Sequence, residues 1–216
     1  VKALLNHAMH DPTNGLTDDH AWRLVKPFKG VGEARRVHFT MEQARALIEA
    51  APNDFADLLA AGFLTGARYG ELVRCNVSDY DPNGKTLRVD GKTGPRTIIL
   101  QPDAISFFNR LTRGRKSEEP LLRRADGGRW NRSHQQRRVA AALERAGLDP
   151  DGTFYALRHT YISRAIEGRI PLNIIATNCG TSVRMIEKTY AKILAKSVQA
   201  FIDAGAPSFA VSDAAS

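Results

Sequence analysis

Past residue 38 the apolar positions change period twice: helical first, then strand-like, then helical again to residue 203. Thr40-Met-Glu-Gln43 reads as a capping box, with a hydroxyl and an amide three residues apart to satisfy free amides at a helix start. It predicts a helix to about Ala50, stopped before Pro52. Asn53 then reads as the cap of a second helix through Leu58, Leu59 and Phe63, ended by Gly66. Val77–Tyr80, Thr86–Val89 and Arg96–Leu100 have strand character, separated by Asp81-Pro-Asn-Gly84 and by Gly91–Pro95. After Pro102 the helical period returns, predicting helices over 103–112, 131–146, 154–167, 171–177, 183–189 and 191–203. Gly147 and Gly168 stand where two of them should stop. The expected class is α+β, mainly α-helical, with a small three-stranded antiparallel sheet.

Residues 1–37 read differently. Val1–Met9 is a short apolar-rich piece, Asp11-Pro-Thr-Asn-Gly15 is a turn cluster, and Gly30 and Gly32 follow an aromatic and basic stretch from Trp22 to Phe28. This region is expected to be the tail of an N-terminal domain plus a linker, in a chain that begins at Val1 without methionine. The compact domain is expected over 38–204, with a loose, small-residue tail over 205–216. The segment from Lys192 to Ala204 is amphipathic through Ile193, Leu194, Val198, Phe201 and Ile202. It could dock on a neighbouring copy or pack on its own domain.

Charge narrows the partners. The chain of 216 residues carries 31 Lys and Arg against 23 Asp and Glu, a formal +8. Such a balance favours a polyanion, most simply nucleic acid. From Arg110 to Arg138 there are ten basic residues and only three acids, Glu118, Glu119 and Asp126. This stripe reads either as a phosphate track or as a solvated surface. Cys75 and Cys179 have no metal-like spacing and read as reduced core thiols of a cytosolic protein. No apolar run is long enough to span a bilayer, and no signal peptide is visible. His7 and His10 lack an acidic or cysteine partner, and Gly30-Val-Gly32 is too poor for a nucleotide loop. There is no carboxylate cluster of the kind a two-metal nuclease needs. No cofactor and no metal are expected.

The chemistry that remains is that of arginine and tyrosine. A phosphoryl transition state needs cations on its non-bridging oxygens. Arginine suits it because its planar fork donates two parallel hydrogen bonds and keeps its charge. Arg68 follows Gly66 at a helix junction, and Arg158 sits in the first turns of a later helix. Tyr190 lies 32 residues after Arg158, and a phenol that attacks phosphorus would keep the bond energy in a covalent ester.

Thr65-Gly-Ala-Arg-Tyr-Gly-Glu-Leu72, Lys92 in a hairpin turn, Tyr155-x-x-Arg158-His159-Thr160, Gly180 and Tyr190 occur in that order. This ordered set resembles the tyrosine recombinase, or phage integrase, family across about residues 39–203. The resemblance implies a tyrosine-recombinase-like catalytic domain that breaks and rejoins DNA strands through a 3′-phosphotyrosine. It implies Arg68 and Arg158 as the phosphate-gripping arginines, Glu71 as a buttress, Lys92 as the acid that protonates the leaving 5′-oxygen, and Tyr190 as the nucleophile. His159 resembles the family's structural histidine and is read as a packed, hydrogen-bonded residue. Tyr155 and Thr181 stand where histidine, and histidine or tryptophan, are usual. Both keep a hydroxyl that can donate to phosphate, but neither is a good base near pH 7. The acceptor of the Tyr190 proton therefore stays open between a phosphate oxygen, water and Tyr155.

The implied partner is double-stranded DNA, bound as a homotetramer, with the free fragment compatible with a monomer. No membrane association is expected. The implied location is cytoplasmic, in a bacterium or encoded by a phage, near the nucleoid. A type IB topoisomerase shares this chemistry, and a DNA-binding module without catalysis is the other alternative.

Overall fold

Residues 2–26, 38–91 and 94–207 are described by a computed structural model of the chain. The chain divides into two units, Val1–Arg35 and Arg36–Ser216. In the first, α1 (Lys2–Met9) and α2 (His20–Arg23) flank a 3-10 turn at Pro12–Asn14. The Asp11 carboxylate caps that turn by accepting from the Thr13 amide at 3.0 Å and its hydroxyl at 2.6 Å. The Trp22 indole donates to Asn6 Oδ1 at 2.6 Å, which ties the two helices. Gly30, Gly32 and the rest of 27–37 lie outside the described residues, as do residues 208–216.

In the larger unit α3 (Met41–Glu49) starts at the capping box read from the sequence. Thr40 Oγ1 accepts from the Gln43 amide at 3.2 Å, and Gln43 Oε1 accepts from the Thr40 amide at 2.9 Å. α4 (Asn53–Thr65) departs slightly from expectation: Pro52 holds the cap position and Asn53 is the first helical residue. Proline can stand there because a cap residue keeps a non-helical ψ and its fixed φ costs nothing. Gly66 ends α4 at φ +63°, and a side chain there would meet the Tyr161 ring at 2.6 Å. α5 (Tyr69–Leu72) follows at once.

The sheet has three antiparallel strands in the order β1 (Tyr80–Asp81), β2 (Thr86–Gly91), β3 (Gly94–Ile99). Leu87 pairs with Ile98 and Val89 with Arg96, so one face turns inward and buries Leu87, Val89 and Ile98. The first expected strand is mostly absent. Val77–Asp79 forms a 3-10 turn because the Asp79 carboxylate accepts from the Asn76 amide at 2.8 Å. A local polar pairing there outweighs the β preference of a single valine.

The remaining helices are α6 (Pro102–Thr112), α7 (Gln135–Arg145), α8 (Phe154–Glu167), α9 (Leu172–Cys179) and α10 (Val183–Gly205). α7 begins later than 131 because Asn131 caps a 3-10 turn at Arg132–His134 instead. α10 joins the two helices expected at 183–189 and 191–203, with non-helical backbone at Tyr190 (φ −113°, ψ 20°).

Half of the basic stripe has a job inside the fold. Arg115 donates to the Leu111, Pro120 and Leu121 carbonyls and pairs with Glu119. Arg129 reaches the Val73 and Cys75 carbonyls and Asn76. Arg110, Arg123 and Arg124 pair with Asp57, Glu119 and Asp126. These contacts brace a long connection between α6 and α7. Arg138 lies over the Trp130 ring, and Arg113, Lys116, Arg132 and Arg137 are the exposed members with none of these contacts.

Two buried clusters share α8. Phe154, Ala156 and Leu157 join the larger core with α3, α4, α6, α7 and the sheet. Ile162, Ala165 and Ile166 join a smaller one with Ile175, Ala176 and Cys179 of α9 and Ile186 and Tyr190 of α10. Arg158, His159 and Thr160 therefore sit at the seam between two cores. Ile193, Leu194 and Phe201 pack on the smaller cluster of their own unit, while Val198 and Ile202 remain exposed. Both cysteines are free and buried, and burial pushes the Cys75 thiol up to about 12 and raises that of Cys179.

Candidate active site

The left-handed turn at Gly66 reverses the chain so that Arg68 enters α5 from its N-terminal side. One turn later Glu71 is buried and accepts from four donors. Its oxygens take the Arg68 amide and Nη1, each at 2.8 Å, and Arg96 Nη1 and Nη2 at 2.7 and 2.8 Å. Burial alone would raise this carboxyl, but the Arg96 fork, with Arg68 behind it, holds it near 2.

Arg96 was not singled out from the sequence. It arrives on β3 and shares the inward face with Ile98. A charged residue on an inward strand position calls for a buried counterion, and that alternation was the available signal. Its Nε also donates to the Asn178 carbonyl at 3.2 Å. Asn178 in turn brackets β3, accepting from the Ile99 amide at 2.7 Å and donating to its carbonyl at 3.2 Å. The loop after α9 is thus pinned to the sheet. Gly180 turns it at φ +61°, where a Cβ would lie 2.7 Å from Arg96 Nη1, and Arg68 Nη2 donates to the Gly180 carbonyl at 2.9 Å. Thr181, half-buried, is the next residue and donates its amide to the Ala176 carbonyl at 2.9 Å.

Arg158 is only 2% exposed. Its Nη1 donates to the Gly66 carbonyl at 2.8 Å, two residues before Arg68, and its Nε is buried without a hydrogen-bond partner. The Cys179 thiol, beside Gly180, feels the charges of Arg158, Arg96 and Arg68 together. Three guanidiniums from α8, β3 and the α4–α5 junction therefore converge on one spot, with a single carboxylate among them. The net charge of that group is positive, and a buried guanidinium with an unmet donor favours an anion.

Tyr190 is 8% exposed at the break in α10, and its hydroxyl lies 2.7 Å from His159 Nδ1. Tyr155 is exposed, with its ring edge-on to His159 at 4.9 Å and the Arg158 guanidinium 5.9 Å from its centroid. A continuous run of contacts thus leads from Arg158 through Tyr155 and His159 to Tyr190. The fold brings Arg68, Arg158, Tyr155, Thr181 and Tyr190 to one region. Lys92 lies outside the described residues. His159 is packed and hydrogen-bonded, as its resemblance to a structural histidine implied, and one of its partners is Tyr190 itself. Among the described residues no group of three or more His, Cys, Asp or Glu gathers as metal ligands, and no helix is long and apolar enough to cross a membrane.

Glu71 offers a first test of this geometry. Glu71→Gln would leave two arginines short of their counterion and is expected to cost about 3 kcal/mol near neutral pH. The folded carboxyl titrates near 2, below its ordinary 4.5. Its stabilisation is therefore full above 4.5 and is lost as pH falls toward 2. Urea denaturation should show the gap between wild type and variant shrinking from pH 7 to pH 3. An equal gap at both would mean that the charge of Glu71 is not what stabilises the site.

The model of the phage integrase family matches residues 38–196. The chain is similar to tyrosine recombinase XerD of Mycobacterium leprae (strain TN), 25% identical over 183 residues, which cover 74% of this chain and 58% of that protein. It is 27% identical over 161 residues to XerD of Corynebacterium glutamicum, covering 69% and 52%. The chain spans little more than half the length of these relatives. In fold it resembles a lambda integrase dimer bound to a core site, with TM-score 0.63 and 22% identity over 85% of this chain and 70% of that one. It also resembles the Tn1549 transposon integrase in complex with circular intermediate DNA, with TM-score 0.65 and 17% identity over 94% and 76%.

Proposed function

Because the chain belongs to the phage integrase family, we propose that it carries the catalytic domain of a site-specific DNA recombinase. The single observation that carries this reading is the convergence of Arg68 and Arg158 on the Gly66 and Gly180 turns, linked by contacts to Tyr190. The scissile phosphate binds between the two guanidiniums. Tyr190 Oη attacks phosphorus, the bond from phosphorus to the 5′-oxygen breaks, and a 3′-phosphotyrosine holds the strand. The arginines stabilise the charge that builds on the non-bridging oxygens, an effect worth roughly 10²–10³ in rate per donor. Thr181, on the loop pinned by Arg68 and Arg96, adds a hydroxyl donor to the same phosphate, and Lys92 protonates the leaving oxygen. A 5′-hydroxyl from a second duplex then reverses the step.

Double-stranded DNA is the proposed partner. The exposed Arg113, Lys116, Arg132 and Arg137 extend the positive surface away from the site and supply salt-dependent affinity. The working assembly is proposed to be a homotetramer on DNA. Residues 1–37 are proposed as the end of an N-terminal DNA-clamping domain and its linker, 38–204 as the catalytic domain, and 205–216 as a tail.

The test is covalent capture. The chain is incubated with a randomised pool of nicked duplexes, and protein-linked strands are recovered after SDS. An adduct is expected, at the same yield in EDTA, because the arginines do the work that a metal does elsewhere. Tight duplex binding with no adduct would favour a DNA-binding module instead. Transfer of the captured strand back to its own duplex alone would favour topoisomerase-like chemistry.

A further inference from the structure

We propose that His159 is the base that takes the proton of Tyr190. The inference rests on the phosphotyrosine reading above and chooses among the acceptors left open there, for which neither Tyr155 nor Thr181 is a good base near pH 7. Tyr190 Oη and His159 Nδ1 are 2.7 Å apart, a distance at which the phenol donates and the imidazole accepts. Both residues are 8% exposed, so water competes weakly for that proton. The contact is held from two sides. His159 is fixed on α8, ten of whose fourteen residues are buried. Tyr190 stands at the only non-helical backbone position inside α10 and packs in a cluster with Ile186 and Cys179.

In the step, the Oη–H proton passes to Nδ1 as the oxygen lone pair forms the bond to phosphorus. The electron pair of the breaking bond leaves on the 5′-oxygen, which takes its proton from the donor on the other side. On religation the imidazolium returns its proton to the departing phenol. This requires the neutral tautomer with hydrogen on Nε2. Transfer need not precede attack, because the phenol becomes far more acidic as its oxygen bonds to phosphorus. The titratable and charged groups described near the imidazole include Tyr190 from α10 and Tyr155 from α8, with Arg158 next to His159 in the chain and against the Tyr155 ring, and Cys179 of α9 in the cluster of Tyr190. Arg158 and the ring face of Tyr155 place this base next to the phosphate grip, so one helix carries both grip and base.

The decisive variant is His159→Asn. Its side-chain oxygen can occupy the place of Nδ1 and hold the phenol, but it cannot accept a proton. Single-turnover cleavage of a nicked duplex recovered from the capture pool is expected to fall by roughly 10²–10⁴-fold, with duplex affinity within about twofold of wild type. A second substrate carries sulfur in place of the leaving 5′-oxygen, so that no acid is needed. The His159→Asn defect should persist on it, whereas a Lys92→Ala defect should largely disappear. On this sulfur substrate the unmutated chain should also show a rate that climbs with pH as an imidazole loses its proton and then levels. That profile needs no variant and stands even if His159→Asn folds poorly. Near-wild-type cleavage by His159→Asn, repair of its defect by sulfur, or a flat profile for the unmutated chain would each overturn the proposal. Failure of the unmutated chain to form any Tyr190-linked adduct would instead remove the phosphotyrosine reading, and the base with it.

Discussion

Tyr190→Phe is expected to form no SDS-stable adduct with any duplex that wild type captures, a loss on the order of 10⁴-fold or more, because the attacking oxygen itself is gone. Binding should be nearly unchanged. The fold should survive, since the substitution keeps the ring in its cluster with Ile186 and Cys179. What it loses is the hydrogen bond to His159, worth roughly 1 kcal/mol. In a domain of this size that lowers the melting temperature by about 2–4 °C. A thermal melt alongside the capture assay separates loss of the nucleophile from loss of structure. A surviving adduct would move the nucleophile elsewhere, with Tyr155 the next tyrosine to examine because its exposed ring lies against His159.

Arg158→Lys is the second large effect. The ammonium keeps the positive charge but lacks the planar fork, so it cannot hold the Gly66 carbonyl and two phosphate directions at once. Cleavage measured in a single turnover is expected to fall by about 10²–10³-fold. Duplex affinity should weaken by less than about tenfold, because one phosphate contact among many is altered. Arg158→Ala should cleave even less. Equal losses in binding and cleavage would show that Arg158 grips the ground state and the transition state alike, and the clamp would lose its catalytic role. Arg68→Lys makes a useful comparison. Arg68 is more exposed and shares Glu71 with Arg96, so its replacement disturbs the Gly180 loop as well as the phosphate.

Several elements were legible because their causes are local. The α3 start is written in Thr40 and Gln43, three residues apart, and the structure closes both hydrogen bonds. The helix expected over 154–167 is α8 with the same bounds. The sheet's second and third strands followed from alternation and glycine turns. Val77 was misread although the cause there is just as local: the strand preference of a single residue lost to the pairing of Asn76 with Asp79. Asn131 deceived in a similar way, since its side chain caps a 3-10 turn and delays α7.

The sequence by itself determined which chemistry the chain can offer. It supplies arginines and a late tyrosine in a set order, with no carboxylate cluster, and order along a chain is visible without a fold. It also determined the elements whose caps and periods lie within a few residues. What only the tertiary structure decided are the pairings between distant residues. Arg96 meets Glu71 across 25 positions, Arg68 meets Gly180 across 112, and His159 meets Tyr190 across 31. No periodicity encodes such distances. The last pairing arises because α8 spans two cores and buries Arg158 and His159 at their seam, where other elements bring the Gly66 carbonyl to the one and Tyr190 to the other.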